Sequence, residues 1–163
     1  LSIMNVPHPA VMSAFLRRAE QLRRSWYVFS FQIPWLPEHW MSANGWRGVE
    51  RALRGSGQIH TFTNDDIKKY KEAWSQPNAM TSMINWYRAA FRYQPSMPKD
   101  LRVRVRTLMM WGMKDVALTY RMARPSMDYC DDGRLIFFED ATHWVQYDEA
   151  EEVNRLLIEF FRN

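Results

Sequence analysis

The sequence predicts an α/β fold, a small parallel sheet with flanking helices, interrupted by a long all-helical insertion. Three observations predict it. Short apolar, strand-like runs open the chain and recur at residues 103–111 and 135–138. The stretch between the last two can supply a helix, and strands joined by a helical crossover run parallel and need helices on both faces. Between residues 10 and 97 the apolar residues instead follow helical spacing.

Taken in order, LSIMNVPHP is a short strand closed by a Pro-bounded turn at Pro7-His8-Pro9. From residue 10 to about 31, Val11, Ala14, Phe15, Ala19, Leu22 and Trp26 recur on one helical face. Pro34, Pro37 and Asn44-Gly45 break that pattern into a loop. A short helix follows at 48–53 and ends at Gly55-Ser56-Gly57. Thr63-Asn64-Asp65-Asp66 sets capping side chains and negative charge ahead of Ile67, Tyr70 and Trp74, which marks a helix start. Pro77 fits the first turn of a further helix, with Met80, Met83, Ile84, Tyr87 and Phe91 on one side. Pro95 and Pro98 close the helical block. After the 103–111 strand a helix is expected around 117–123, then the 135–138 strand. Residues 149–161 form an amphipathic helix with acids in its first turn and Arg162 near its end, as the helix dipole prefers. The division is therefore 1–9 as an entry strand, 10–97 as the helical insertion and 98–163 as the rest of the core.

Composition narrows the function classes. Of the 163 residues, 47% are hydrophobic and 25% charged, a globular balance rather than a disordered one. The net charge of +4 is spread, and Arg17-Arg18 with Arg23-Arg24 are spaced like the solvated side of a helix. No nucleic-acid partner is expected. One cysteine, Cys130, excludes an internal disulfide and fits a reducing compartment, cytoplasmic or reached through an anchoring segment ahead of Leu1. His39, His60 and Cys130 lack partners at ligand spacing, and there is no phosphate loop, so neither a metal nor a cofactor is expected. The chain opens without a Met start, and no apolar run is long enough to span a membrane.

Two residues stand where chemistry is expected. Asp115 follows the 103–111 strand and His143 follows the 135–138 strand. Open α/β sheets place ligands and catalytic groups at the C-terminal ends of such strands. An acid there fixes the tautomer of an imidazole and leaves its other nitrogen to act as a base. The order acid then histidine also matches that of α/β hydrolases, in which a nucleophile comes first.

At these residues the likeness to a family becomes specific. WGMKDVAL and EDATHWVQYDEAEEVNRLLIEFF resemble the acid and histidine segments of epoxide hydrolases. NVPHP resembles the strand that enters their lid. RSWYVFSFQIPWLPE and FTNDDIKKYKEAWSQPNAMTSMINWYRAAF resemble the lid itself. The resemblance covers nearly the whole chain and implies a partial α/β-hydrolase fold, with C-terminal parallel strands, flanking helices and an inserted helical lid at 10–97. It implies an epoxide substrate, opened to a vicinal diol through an alkyl-enzyme ester. Asp115 and His143 become the acid–histidine pair, and Tyr27 and Tyr87 the lid phenols that hold and protonate the epoxide oxygen. Trp26, Phe31, Trp86 and Trp144 become pocket residues, and His8 a structural turn residue.

The sequence departs from the family in one respect. The nucleophile elbow and the HGxP oxyanion segment precede the lid-entry strand, and no Gly-flanked Asp or GxSxG elbow replaces them. The expectation is a chain inactive by itself that requires the N-terminal half of the fold as partner. A dehalogenase with the same lid architecture would need halide-binding groups in place of the tyrosine pair. A non-catalytic truncated product is the third reading.

Overall fold

The computed structural model describes residues 1–93 and 98–162; Pro95, expected to help close the helical block, lies outside the described residues. Three strands form one parallel sheet in the order β1-β2-β3: β1 Ser2–Met4, β2 Thr107–Gly112 and β3 Gly133–Phe138. β2 is central and buried along its whole length. Its side chains alternate between faces, as the pleat requires. Leu108 and Met110 join Ala141, Val145, Val153, Leu156 and Phe160 on one side. Met109 and Trp111 join Val11, Phe15, Met122 and Ala123 on the other. A parallel sheet is covered by helices on both faces, which explains the unbroken apolar run LMMW.

The expected strand at 103–111 starts later than its hydrophobicity implied. Val103 makes only an isolated bridge to Cys130, and the Arg104, Val105 and Arg106 stretch carries exposed side chains before pairing begins at Thr107. The expected crossover helix is shifted as well. Asp115 draws the backbone after it into a turn, and helix starts only at the 3-10 turn Tyr120–Met122 and continues as α7 Ala123–Met127.

Around this core lie α1 Pro9–Phe15, α2 Ala19–Arg24, α8 Val145–Asp148 and α9 Ala150–Arg162. The single helix expected from 10 to 31 is three pieces, the third being α3 Trp26–Ser30. The reason is which side faces in. On α2 the fully buried residue is Gln21, and Ser25 at its end is buried too, whereas Leu22 and Trp26 are largely exposed.

The remaining helices are α4 Leu36–Gly55, α5 Asn64–Trp74 and α6 Ala79–Arg92. α4 is longer than the expected 48–53 because Pro37 sits in its first turn, where its missing N–H is harmless. The Asn44-Gly45 break is present as a kink, with positive φ at Asn44, Gly45 and Trp46. α5 starts where expected, with a reciprocal capping box between Thr63 and Asp66. α6 starts at Ala79 behind a left-handed Asn78, leaving Pro77 outside the first turn.

The chain divides into two compact units. One comprises Leu1–Ser25, Ser56–Thr61 and Pro98–Asn163; the other comprises Trp26–Gly55 and Phe62–Met97. The helical insertion expected at 10–97 is therefore narrower. Residues 10–25 pack on the sheet through Val11 and Phe15, and 56–61 bond to the loop that follows β3. The second unit has its own core of Trp74, Met80 and Ile84, flanked by Phe31, Met41, Trp46, Val49, Leu53 and Tyr70.

Candidate active site

β2 ends at Gly112 and β3 at Phe138, which are register partners, so the loops that follow leave one edge of the sheet side by side. They are stitched together by Met113 N–H to Phe138 O at 2.9 Å and Lys114 N–H to Ala141 O at 2.9 Å. Gly112 permits the close approach. A Cβ there would lie 2.1 Å from the Thr142 carbonyl oxygen and 2.6 Å from that of Ala141.

These loops bring Asp115 and His143 together. Asp115 Oδ2 lies 2.8 Å from His143 Nδ1. The Asp115 side chain is fully buried and that of His143 is about a third exposed. The other oxygen, Oδ1, accepts the backbone N–H groups of Ala117 at 2.7 Å and Leu118 at 2.9 Å. Oδ2 also accepts from Asn5 Nδ2 at 2.7 Å. A buried carboxylate is tolerable only when its oxygens are satisfied in this way. Among the described residues nothing bonds His143 Nε2, and a ring held at Nδ1 with Nε2 open can accept a proton from water.

Other contacts hold the loops. Gln21 Nε2 donates to Ala117 O at 2.8 Å, and its Oε1 accepts from Thr119 N at 3.2 Å. Arg24 donates to the Asp115 carbonyl at 2.7 Å. On the histidine side, Asp148 accepts from Thr142 N–H at 2.7 Å and from the hydroxyls of Thr142 and Thr61. Trp144 stands edge-on to His143, ring centroids 5.5 Å apart, and its Nε1 donates to Ser56 at 2.8 Å. Lys114 and Asp140 form an exposed ion pair across the two loops; the Lys114 hydrogen bond, with its charge, holds the Asp140 carboxyl below its usual value.

His8 has both ring nitrogens engaged. Nδ1 accepts from Ala10 N–H at 3.2 Å and Nε2 lies 3.0 Å from Leu101 O, with the ring stacked on Tyr129. It caps α1 and has no nitrogen left for chemistry.

In the second unit, Tyr27 on α3 and Tyr87 on α6 meet edge to face, ring centroids 5.8 Å apart, with Phe31 against both. Arg88 fixes this arrangement. It donates to the carbonyls of Phe31 at 2.8 Å and Ile33 at 2.9 Å, and pairs through two nitrogens with Glu38. That hydrogen bond is the main reason the Glu38 carboxyl lies below its usual value, with partial burial opposing it. Gln32 adds bonds to the Val28 and Tyr87 carbonyls. Of the expected pocket residues, Trp26 and Trp86 are mostly exposed, at 59% and 79%, while Phe31 and Trp144 are half-buried.

The sequence reading missed Asn5, Gln21 and the Gly112 crossing. Asn5 carried a weak signal, a polar residue directly after an apolar strand; it has φ +49° and is 1% exposed. A residue that accepts the left-handed region in a buried position has a reason to be there.

No family model matches the chain. The chain is 36% identical over 164 residues to the AB hydrolase superfamily protein YfhM of Bacillus subtilis, covering all of this chain and 57% of that protein. It is 35% identical over 166 residues to Epoxide hydrolase 2 of Caenorhabditis elegans, covering 98% of this chain and 46% of that one. Among solved structures, a Bacillus megaterium epoxide hydrolase in complex with an inhibitor superposes with a TM-score of 0.85 at 21% identity, over all of this chain and 60% of that one. The chain thus spans about half the length of the curated relatives it matches.

Proposed function

Because the chain belongs to the α/β-hydrolase family, and is related over its whole length to proteins named epoxide hydrolase, we propose that it carries the general-base and oxygen-holding part of a site that converts an epoxide and water to a vicinal diol. The observation that supports this best is the buried Asp115 bonded to Nδ1 of His143 at 2.8 Å, at the C-terminal edge of a parallel sheet.

The reaction has two steps. A carboxylate nucleophile attacks one epoxide carbon, the C–O bond breaks, and an alkyl-enzyme ester forms. Tyr27 and Tyr87 are assigned to the leaving oxygen, because a phenol donates a strong hydrogen bond to a developing alkoxide while carrying no charge beforehand. His143 then takes a proton from water through Nε2, Asp115 holds the resulting imidazolium, and hydroxide cleaves the ester to release the diol. The 163 residues contain no Gly-flanked Asp elbow, so the nucleophile is assigned to a segment outside them. On that assignment these residues alone do not complete the first step.

The test is turnover by the complete gene product. A styrene-type epoxide should yield the vicinal diol, while haloalkanes and fluoroacetate should release no halide. Halide release without diol formation would replace this reading with a dehalogenase.

A further inference from the structure

No member of the motif Asn5-Val6-Pro7-His8-Pro9 takes part in the steps above, yet Asn5 bonds the acid directly. We propose that Asn5 is a positioning residue for the acid–histidine pair, fixing the Asp115 carboxylate and through it the tautomer of His143. The inference rests on the acid–histidine roles assigned above.

The geometry leaves little freedom in how Asn5 is read. Its Oδ1 lies 3.0 Å from the backbone N of Gly112, which can only donate. The amide oxygen is therefore the acceptor there, and Nδ2 must be the group 2.7 Å from Asp115 Oδ2. The same Nδ2 also lies 3.3 Å from Thr142 O, on the histidine loop. One buried amide thus touches the end of β2, the acid and the loop carrying the base. The backbone of Asn5 completes the fit. Its N–H donates to Met110 O at 3.0 Å as the last rung of the β1–β2 ladder, and its left-handed φ then turns the chain away. Asparagine is among the few side chains that tolerate that conformation.

The consequence is chemical. Three N–H groups donate into Asp115, from Ala117, Leu118 and Asn5. With Asp115 taken as a carboxylate, which can only accept, His143 Nδ1 is the fourth donor, and Nε2 of the neutral ring is the nitrogen left without a proton. Asn5 shares Oδ2 with His143, so it sets the direction from which the imidazole is held. The backbone donors act only on Oδ1 and cannot do this.

The experiment uses the complete gene product labelled with 15N-histidine, reading the His143 ring nitrogens by long-range 1H–15N correlation beside epoxide kinetics. Two variants suit the backbone: Asn5→Gly removes the amide, and Asn5→Asp keeps its shape and the Gly112 bond but replaces the donor with an acceptor. The wild type should show the Nδ1–H tautomer. Both variants should lose its dominance, with kcat down about ten- to a hundredfold and KM changed by less than about twofold. Wild-type tautomer and kcat in Asn5→Asp overturn the proposal even if Asn5→Gly fails to fold. Retention of the wild-type tautomer in both variants overturns it equally. If the wild type turns over no epoxide while its tautomer still depends on Asn5, the proposed function fails and this inference stands. If epoxide turnover persists and is indifferent to Asn5, this inference fails alone.

Discussion

At the scale of single residues, burial separates the acid from the imidazole that it holds. Asp115 is fully buried yet meets four nitrogens, so its burial is compensated, whereas the imidazole it holds keeps one edge exposed. His8 shows the contrast, a histidine whose two nitrogens are spent on capping a helix and bonding Leu101. The phenols assigned to the epoxide oxygen give a direct prediction. Changing Tyr27 and Tyr87 together to Phe keeps the ring packing with Phe31 but removes both donors. Epoxide kcat/KM of the complete gene product should fall by at least about a thousandfold. Gly112→Ala predicts the opposite pattern, a structural failure. The added methyl would meet two backbone carbonyl oxygens, so the variant should lose about 3 kcal/mol or more in a denaturant titration.

At the scale of elements, Arg88 of α6 pairs with Glu38 of α4 and bonds the Phe31 and Ile33 carbonyls of the loop between α3 and α4. Arg88→Met would leave Glu38 and the Phe31 and Ile33 carbonyls without this donor, and should cost about 2 kcal/mol on unfolding. The Glu38 carboxyl sits below its ordinary value in the folded chain. The stability from this pair is therefore fully present above the unfolded value, about 4.3, and is lost as pH falls through the lower folded value. Melting curves followed from pH 6 to pH 3 should show that loss, and Glu38→Gln should flatten it. The elements also show what a sequence can reveal. β2, α5 and α9 were legible because LMMW, the Thr63–Asp66 cap and the Val153–Phe160 face each carry a local signal. The break of 10–31 into three helices was not, because α2 turns Gln21 and Ser25 inward to clamp the acid loop while Leu22 and Trp26 face out. A hydrophobic pattern assigns the inward face to the wrong residues there. Asp115 and His143 could be read from strand ends, but Asn5 bonds a residue 110 positions away and no spacing rule links them.

At the scale of the molecule, the three-stranded sheet has β1 and β3 each paired on one side only among the described residues. Leu1, Val6, Val105, Ile158 and Phe161 are all at least half exposed. Such edges and apolar side chains are templates for association. Expressed as these 163 residues, the chain should elute as soluble aggregate in size-exclusion chromatography; a monomer with a cooperative melt would contradict this. The central claim is that His143, held by Asp115, hydrolyses an ester that a separate nucleophile has formed. The most direct measurement is intact-protein mass spectrometry of His143→Gln in the complete gene product, quenched after mixing with a styrene-type epoxide. The account predicts one covalent adduct per protein with the mass of the epoxide and no continuing diol release. Steady diol production without an adduct would contradict it.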